Sequence, residues 1–320
     1  MKGSGITMTF WLILILLLIL FWLLGMAFCS PSLSRNELLK FSFNQLTLPG
    51  GLSVNYREMG PVDGLNILCC HGGGDSLGAW NAWAAKMAEK YHVILVDLPG
   101  HGLTDPLPGG TYTPKHFADF ITEFIATLKL DNFVIVGHSF GGNGVLRYLT
   151  VHPNIPKAAI LVSPGGYKCG KGLEMPAGIA RFATSHWGRK LVSQIGSRGL
   201  LKKMLGSRFF YNPEALPGEM LERIYLLSRY EKNRGTAINL VANATINFQP
   251  LPDLENIKIP VLFIWGAEDQ IIPLSVGQYF SGKLPQGELV VYEKVGHMSH
   301  VENAEQSVTD ATAFLQRQGL

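Results

Sequence analysis

Three residues that lie far apart in the chain have side chains that together can cleave an acyl bond. Ser139 stands in the run Gly137-His138-Ser139-Phe140-Gly141, Asp269 follows a short apolar run, and His297 comes directly after a glycine. A serine hydroxyl is a weak nucleophile at neutral pH, so it needs an imidazole to accept its proton and a carboxylate to orient that imidazole. We therefore predict that Ser139 is the nucleophile, His297 the general base and Asp269 the orienting acid.

The residues that flank Ser139 are those that an exposed nucleophile needs. Ser139 follows the apolar run Phe133–Val136, which is typical of a buried strand, and precedes a helical run that begins near Gly144. On a sharp strand-to-helix turn a serine projects its hydroxyl above the edge of the sheet. Gly137 and Gly141 would keep flanking side chains from colliding with the backbone at such a turn.

The acid and the base each have a neighbour that competes for the role. Glu268 is the alternative to Asp269, and an acid in this loop could instead cap the helix that follows. His300 is the rival of His297, but it lies nearer the next helix. We interpret His300, like His101, as a surface or capping residue.

Acyl transfer also needs hydrogen-bond donors for the oxyanion that forms when the serine attacks. One predicted donor is the backbone amide of Phe140, the residue after the nucleophile. The other lies in the run His71-Gly72-Gly73-Gly74, which follows the apolar stretch Leu65–Cys70. Gly73 is the preferred donor and Gly74 the second choice, because glycines let a backbone approach a ligand closely. A plain tight turn is the alternative for this run.

Short apolar runs alternate with amphipathic stretches through most of the chain. Such runs are typical of strands buried in a parallel sheet, and the stretches between them predict crossover helices. The predicted fold class is α/β, a mostly parallel sheet flanked by helices, opened by a hairpin that turns at Pro49-Gly50-Gly51. The predicted strands are Phe41–Leu48, Leu52–Glu58, Leu65–Cys70, His92–Val96, Phe133–Val136, Ala158–Val162, Val261–Trp265 and Leu289–Tyr292, and the clearest helices are Ala79–Tyr91, Lys115–Leu130 and Glu302–Gln316.

A stretch of about ninety residues between Ser163 and Ile259 has helical but no strand character. We interpret it as an inserted helical cap, which divides the catalytic core into a first part over 41–164 and a second part over 256–320, with the cap over 165–255. Residues 167–250 contain 13 Lys and Arg but 5 Asp and Glu. This basic cap is either a solvated surface or a contact for anionic lipid headgroups.

The N-terminus differs from the rest of the chain. Hydrophobic residues make up 47% of the protein and charged residues 16%, which indicates a locally concentrated apolar segment. Residues 8–28 carry no charge, and as a helix they would span about 31 Å, the thickness of a bilayer's hydrocarbon core. We predict a single-pass membrane anchor in residues 1–30 and a linker over 31–40. A cleaved signal peptide that releases a secreted protein, and lipid attachment at Cys29, are the alternatives.

The remaining motifs indicate neither a metal nor a nucleotide site. Cys69 and Cys70 are adjacent in an apolar strand, so their side chains should point to opposite faces, and no disulfide framework is implied. No His and Cys cluster has metal-ligand spacing, and no G-x-G-x-x-G run enters a helix. We predict no cofactor, no metal and no nucleic-acid partner. The expected partners are a small-molecule or lipid acyl substrate and the membrane, contacted through the N-terminal helix and the basic cap.

Taken together, these motifs resemble the α/β-hydrolase superfamily across residues of about 41 to 320. The resemblance is carried by His71-Gly72-Gly73, the stretch Asp97-Leu98-Pro99-Gly100-His101-Gly102, the turn at Ser139, the loop at Asp269 and the pair Gly296-His297. Within the superfamily the chain looks like capped lipases and esterases, and its layout is similar to that of membrane-anchored monoacylglycerol lipases. The resemblance implies hydrolysis of a carboxylic ester through an acyl-enzyme.

Other functions on the same framework stay open. The chain also resembles bacterial C–C bond hydrolases of aromatic degradation, but it has His138 where those enzymes tend to carry Asn, Ala267 where they carry Arg, and Met298 where they carry Trp. An acyltransferase would use the same triad with a different acceptor. A non-catalytic binding protein of this fold would typically have lost a triad residue, and none is lost here.

Overall fold

The protein is described by a computed structural model that covers residues 30–167, 176–192, 194, 196–246, 248, 250–251 and 253–320. Within these residues eight strands form one sheet. The strands are β1 (Asn44–Thr47), β2 (Ser53–Met59), β3 (Asn66–Cys70), β4 (His92–Val96), β5 (Phe133–His138), β6 (Ala158–Val162), β7 (Val261–Gly266) and β8 (Gly287–Tyr292).

The sheet has the order β1-β2-β4-β3-β5-β6-β7-β8. β2 pairs antiparallel with both β1 and β4, and the remaining neighbours are parallel. The predicted α/β class, with a mostly parallel sheet opened by a hairpin, is therefore confirmed. The carboxyl ends of the central parallel strands meet at one edge of the sheet, where ligand sites of such folds gather.

Helices cover both faces of the sheet. The α-helices are α1 (Asn81–Met87), α2 (Pro114–Leu128), α3 (Ser139–Val151), α4 (Ala177–Thr184), α5 (His186–Val192), α6 (Arg198–Phe209), α7 (Gly218–Leu227), α8 (Thr236–Ile246), α9 (Leu274–Lys283), α10 (Ser299–Glu302) and α11 (Ala304–Arg317). α2, α3 and α9 pack on one face, and α1 and α11 pack on the other. α4 to α8 lie between β6 and β7, where the sequence predicts the cap.

The two faces of β3 show how the chain fills both cores. Leu68 and Cys70 belong to one hydrophobic cluster, whereas Ile67 and Cys69 belong to the other. Alternate residues of a strand point to opposite faces, so the prediction for the two cysteines is confirmed. Burial raises the pKa of Cys70 to about 12, which keeps this thiol protonated and unreactive at neutral pH.

The helix after the strand β5 begins earlier than the sequence predicts, at Ser139 rather than near Gly144. Glycines disfavour a helix, which is why its first turn was not predicted. Here they are needed for packing: a Cβ on Gly141 would lie 2.1 Å from the carbonyl oxygen of His71, and one on Gly144 would lie 2.9 Å from the Cβ of Phe117. Tertiary contact therefore overrides the low helix propensity.

The segment 31–40, predicted as a linker, is packed against the cap. Leu33 donates a backbone hydrogen bond to Arg229 (2.8 Å) and accepts one from Glu231 (3.0 Å). Leu38 is fully buried with Leu103 and Tyr230. The chain therefore enters the fold along the cap before it reaches the sheet.

No helix in the described part of the chain is both long and apolar enough to cross a bilayer. This finding overturns the predicted single-pass membrane localisation. The segment on which that prediction depended, residues 8–28, lies outside the described residues, as does Cys29.

Candidate active site

Ser139 lies at the sharp turn between β5 and α3. Its backbone φ is +52°, a left-handed conformation that non-glycine residues rarely adopt. Two close approaches enforce this turn: a Cβ on Gly137 would lie 2.7 Å from the Cα of Gly142, and one on Gly141 would meet the carbonyl oxygen of His71. The glycines that flank the serine are therefore required by sterics, as the sequence predicts. The strained turn presents the half-buried Ser139 side chain at the sheet edge.

The structure brings together the three residues proposed as a triad. Nε2 of His297 lies 2.8 Å from Oγ of Ser139, and Nδ1 of His297 lies 2.7 Å from Oδ2 of Asp269. A carboxylate only accepts hydrogen bonds, so the proton of a neutral His297 is on Nδ1. Nε2 is then free to accept the proton of the serine hydroxyl. Both His297 and Asp269 are buried, which shields the hydrogen bond between them from water.

The second carboxylate oxygen of Asp269 is bound by backbone amides. Its Oδ1 accepts hydrogen bonds from the backbone amides of Ile271 (2.8 Å) and Ile272 (2.9 Å). The competing acid, Glu268, accepts instead from the backbone amide of Val295 at 3.0 Å. Asp269 therefore lies at His297, whereas Glu268 binds the backbone of the segment that leads to His297.

The glycine loop after β3 lies directly against the serine turn. A Cβ on Gly72 would lie 3.2 Å from the Cβ of Ser139, and one on Gly73 would lie 3.5 Å from the Cβ of Phe140. The two residues predicted to donate to the oxyanion, Gly73 and Phe140, are thus side by side next to the nucleophile. This arrangement has the form of an oxyanion hole.

His71 holds the glycine loop, a role that sequence reasoning did not assign. Its Nδ1 lies 2.7 Å from the carbonyl oxygen of Gly72, and its Nε2 accepts a hydrogen bond from the amide of Leu98 at 3.0 Å. Burial holds the pKa of His71 well below its usual value, so the ring is neutral and can accept at Nε2. The sequence feature that could have indicated this role is the position of His71, directly between a strand and three glycines.

Asp97 organises the loop that follows β4. Its Oδ1 accepts from the amide of Leu77 (2.7 Å), and its Oδ2 accepts from the amide of Leu103 (2.9 Å) and from Nδ2 of Asn55 (2.6 Å). Burial raises the pKa of Asp97 to about 6, although these donors oppose the rise. A Cβ on Gly102 would lie 2.0 Å from Oδ2, so this loop position requires glycine. Asp97 therefore supports the site without contacting the triad residues.

His300 and His101, which we interpret from the sequence as surface or capping residues, are both buried, so the surface part of that interpretation is wrong. The ring of His300 lies 4.4 Å from that of Trp80 and 4.5 Å from that of His138. His138 lies next to the nucleophile, and its Nε2 is 3.1 Å from the backbone carbonyl oxygen of His297. The ring of His138 also lies 4.8 Å from that of His297, so these rings pack beside the predicted general base. Their burial depends on contacts between distant segments, which local sequence does not reveal.

Helices of the cap contact the glycine loop beside Ser139. A Cβ on Gly73 would lie 3.0 Å from Cδ2 of Leu240, and one on Gly74 would lie 3.2 Å from the Cβ of Ala237. Nearby, Arg223 of α7 forms a buried ion pair with Asp75, with 3.0 Å between the guanidinium nitrogen and the carboxylate oxygen. The helices α7 and α8 are therefore in direct contact with the loop that carries the predicted oxyanion donors.

Within the described ranges, no group of three or more His, Cys, Asp or Glu side chains could hold a metal ion.

A hydrogen-bonded Ser-His-Asp set at the edge of a mostly parallel sheet defines the class of α/β hydrolases. The chain belongs to this family, because the sequence model of the alpha/beta hydrolase fold matches residues 66–304. A curated relative, the 2-hydroxy-6-oxononadienedioate/2-hydroxy-6-oxononatrienedioate hydrolase of Burkholderia vietnamiensis, is 28% identical over 275 residues, which cover 83% of this chain and 92% of the relative.

Two solved structures extend the comparison. A thermophilic esterase from Thermogutta terrifontis matches with a TM-score of 0.69 and 20% identity, covering 86% of this chain and 98% of its own. A meta-cleavage product hydrolase from Pseudomonas fluorescens IP01 matches with a TM-score of 0.73 and 19% identity, covering 87% of this chain and 99% of its own. These likenesses show the fold, which different hydrolytic activities share.

Proposed function

We propose that this protein is a serine hydrolase that cleaves carboxylic esters through an acyl-enzyme. The observation that carries the proposal is the hydrogen-bonded path from Ser139 through His297 to Asp269. The backbone of Gly73 and Phe140 beside the serine supports the same proposal, because acyl transfer needs amide donors next to the nucleophile.

In the first half of the reaction Oγ of Ser139 attacks the ester carbonyl while Nε2 of His297 accepts the hydroxyl proton. The negative charge of Asp269 stabilises the imidazolium that forms. The amides of Gly73 and Phe140 bind the oxyanion, and each such hydrogen bond typically lowers the barrier by about 3 kcal/mol. His297 then passes the proton to the departing alcohol, and the acyl group stays on Ser139.

In the second half water replaces the alcohol. His297 accepts a proton from the water as its oxygen attacks the acyl carbonyl, and the same amides bind the second oxyanion. Collapse of this intermediate breaks the bond to Oγ, which takes the proton back from His297. The products are a carboxylic acid and the free enzyme.

The surroundings of the site favour an uncharged acyl group. The cap side chains that approach the glycine loop are those of Leu240 and Ala237, both apolar. The ring of Phe209 lies 5.7 Å from that of His297. The buried cap arginine next to the loop, Arg223, is already paired with Asp75, so its charge is balanced. An apolar acyl chain is therefore a better match than a carboxylate.

The proposal is tested by hydrolysis of p-nitrophenyl esters from acetate to palmitate by the full chain. Wild-type protein should turn over these esters at a rate that varies with acyl length, and Ser139→Ala should reduce turnover by at least about 10⁴-fold. Ser163→Ala is the matched control: Ser163 is a buried serine directly after the neighbouring strand β6, and its Oγ has no hydrogen-bond partner among the residues that the structure describes. Near-normal hydrolysis by Ser139→Ala would refute the mechanism.

A C–C bond hydrolase with the same triad is the second candidate, because the Burkholderia relative carries that activity in its name. The three departures at His138, Ala267 and Met298 count against it. In the structure Met298 is buried among cap residues, in one cluster with Phe210 and Met220, and so supports the cap. Labelling of Ser139 by a fluorophosphonate without ester turnover would favour this candidate, and turnover of a 2-hydroxy-6-oxodienoate would then establish it.

A further inference from the structure

The backbone of the cap meets the loop of the catalytic histidine at one place, which we call the cap–histidine junction: Phe209–Tyr211 on the cap side and Gly296–Met298 on the loop side. The amide of His297 donates to the carbonyl oxygen of Phe209 at 2.8 Å. A Cβ on Gly296 would lie 2.8 Å from both the Phe209 oxygen and the Tyr211 nitrogen, so only a glycine lets the two backbones approach this closely.

The side chain of Glu302 bridges the two sides of this junction. Its Oε1 accepts from the amide of Gly296 at 2.8 Å, and its Oε2 accepts from the amide of Tyr211 at 2.8 Å. Each carboxylate oxygen thus holds a different segment of the chain. Hydrogen bonds to an ionised acceptor are stronger and more directional than those between neutral groups.

Apolar contacts also hold the junction, but they do not set its register. Met298 packs in one cluster with Phe210, Met220 and Leu221 of the cap. Such packing is non-directional and permits small sliding movements. A shift of His297 by a fraction of an ångström would spoil its alignment with Ser139. We therefore expect the directional hydrogen bonds of Glu302 to fix the relative position of the two segments.

We propose that Glu302 is a positioning residue, which locks the cap and the histidine loop in one register and thereby aligns His297 with Ser139. This inference rests on the proposed role of His297 as general base. It makes the segment Phe209–Tyr211 of the cap a part of the support of the catalytic histidine rather than only a cover over the substrate.

The test compares Glu302→Gln and Glu302→Ala with wild type at a temperature where all three proteins are fully folded. The glutamine keeps one acceptor oxygen but places an amide group against a backbone N–H, and the alanine removes both acceptors. We expect kcat for a p-nitrophenyl ester to fall about 10-fold for Glu302→Gln and about 100-fold for Glu302→Ala, with KM changed less than about twofold, because misalignment affects the chemical step.

Glu305→Gln is the matched control. It makes the same change of charge three residues further along the chain, at a side chain that is 86% exposed and pairs with Lys86 at the surface. Its kcat should stay within about twofold of wild type. Gly296→Ala, which separates the two backbones without touching the carboxylate, should lower kcat as Glu302→Ala does, and it replaces that variant if Glu302→Ala fails to fold.

A second readout separates this inference from the proposed function. The rate of fluorophosphonate labelling of Ser139 depends on proton transfer to His297 and needs no knowledge of the substrate. It should fall in parallel with kcat. If wild type labels but hydrolyses no ester, the proposed function fails while the labelling rates still test Glu302. Unchanged labelling and kcat in Glu302→Gln, even with a lower melting temperature, would overturn the positioning role.

Discussion

Two parts of the cap, which we call its anchored half and its outer half, meet the rest of the protein in different ways. The anchored half, residues 198–227, reaches the core through directional polar contacts, among them the carbonyl of Phe209 and the buried pair of Arg223 with Asp75. The outer half, residues 177–192, rests on α8 through a small cluster in which Ala180 and Ala183 contact Ala242. Its exposed large apolar side chains are Ile179, Phe182, Trp187 and Leu191.

The two parts of this insertion are therefore held by different kinds of contact. Charge-assisted and backbone hydrogen bonds hold the anchored half at His297, the proposed general base, where we expect a small displacement to spoil the alignment with Ser139. Contacts between alanines bury little area, so this cluster contributes less stabilisation than the larger side chains of the anchored half. The buried polar contacts of these two parts of the cap therefore lie on the side of the proposed catalytic histidine.

The largest expected effect comes from truncating the same residue type in each half. Phe210 is 2% exposed and Phe182 is 48% exposed. Phe210→Ala should lower the free energy of unfolding by about 4 kcal/mol, because it leaves a cavity in the cap core, whereas Phe182→Ala should change it by less than about 0.5 kcal/mol. Urea denaturation measures both. Equal losses would show that the two halves are equally well packed.

The next largest effect concerns the charges of the anchored half. Arg223→Met would leave Asp75 buried without its partner and should lower the free energy of unfolding by about 3 kcal/mol. Arg198 is the control, since it pairs with Glu222 at the surface, where the two side chains are 55% and 43% exposed. Arg198→Met should cost less than about 1 kcal/mol in the same urea titration. A small effect of Arg223→Met would mean that Asp75 finds other partners.

The smallest expected effect is at the contact between α8 and the glycine loop. Leu240→Ala should lower the free energy of unfolding by about 2 kcal/mol, at the low end for such truncations, because the space opens toward the substrate site. The same space should raise kcat/KM for branched acyl esters relative to acetate by about tenfold, a typical value for a methylene-sized change in a pocket. Esterase assays with both substrates check this, and an unchanged ratio would place the acyl group elsewhere.

Much of the site could be predicted because its signals are local. The glycines around Ser139, the acid just past a strand end and the histidine after Gly296 each stand in a short segment whose backbone geometry follows from its own residues. The strands were predicted for the same reason, since buried parallel strands are apolar throughout. Local signals therefore predicted which residues come together.

The supports of the site were not predictable in this way. Glu302 was predicted only as the start of a helix, and its contacts with Tyr211 depend on how a segment 91 residues earlier in the chain docks. The pair of Arg223 with Asp75 spans 148 positions. Such contacts are set by tertiary packing, which neither periodicity nor spacing encodes.

The two points at which the cap joins the sheet determine which insertions the chain can accommodate. β6 and β7 are neighbours, with Ala159 opposite Val261, so the whole insertion begins and ends at adjacent strands. The entropic cost of closing a loop grows slowly with its length, so insertions of very different size can be accommodated at this point. A foreign cap grafted here would still leave the amide of His297 without its acceptor, unless it brought a backbone carbonyl to the position of Phe209. Exchange of the cap is therefore limited less by the sheet than by the hydrogen bonds of the cap–histidine junction, which run from His297 to Phe209 and from Tyr211 to Glu302.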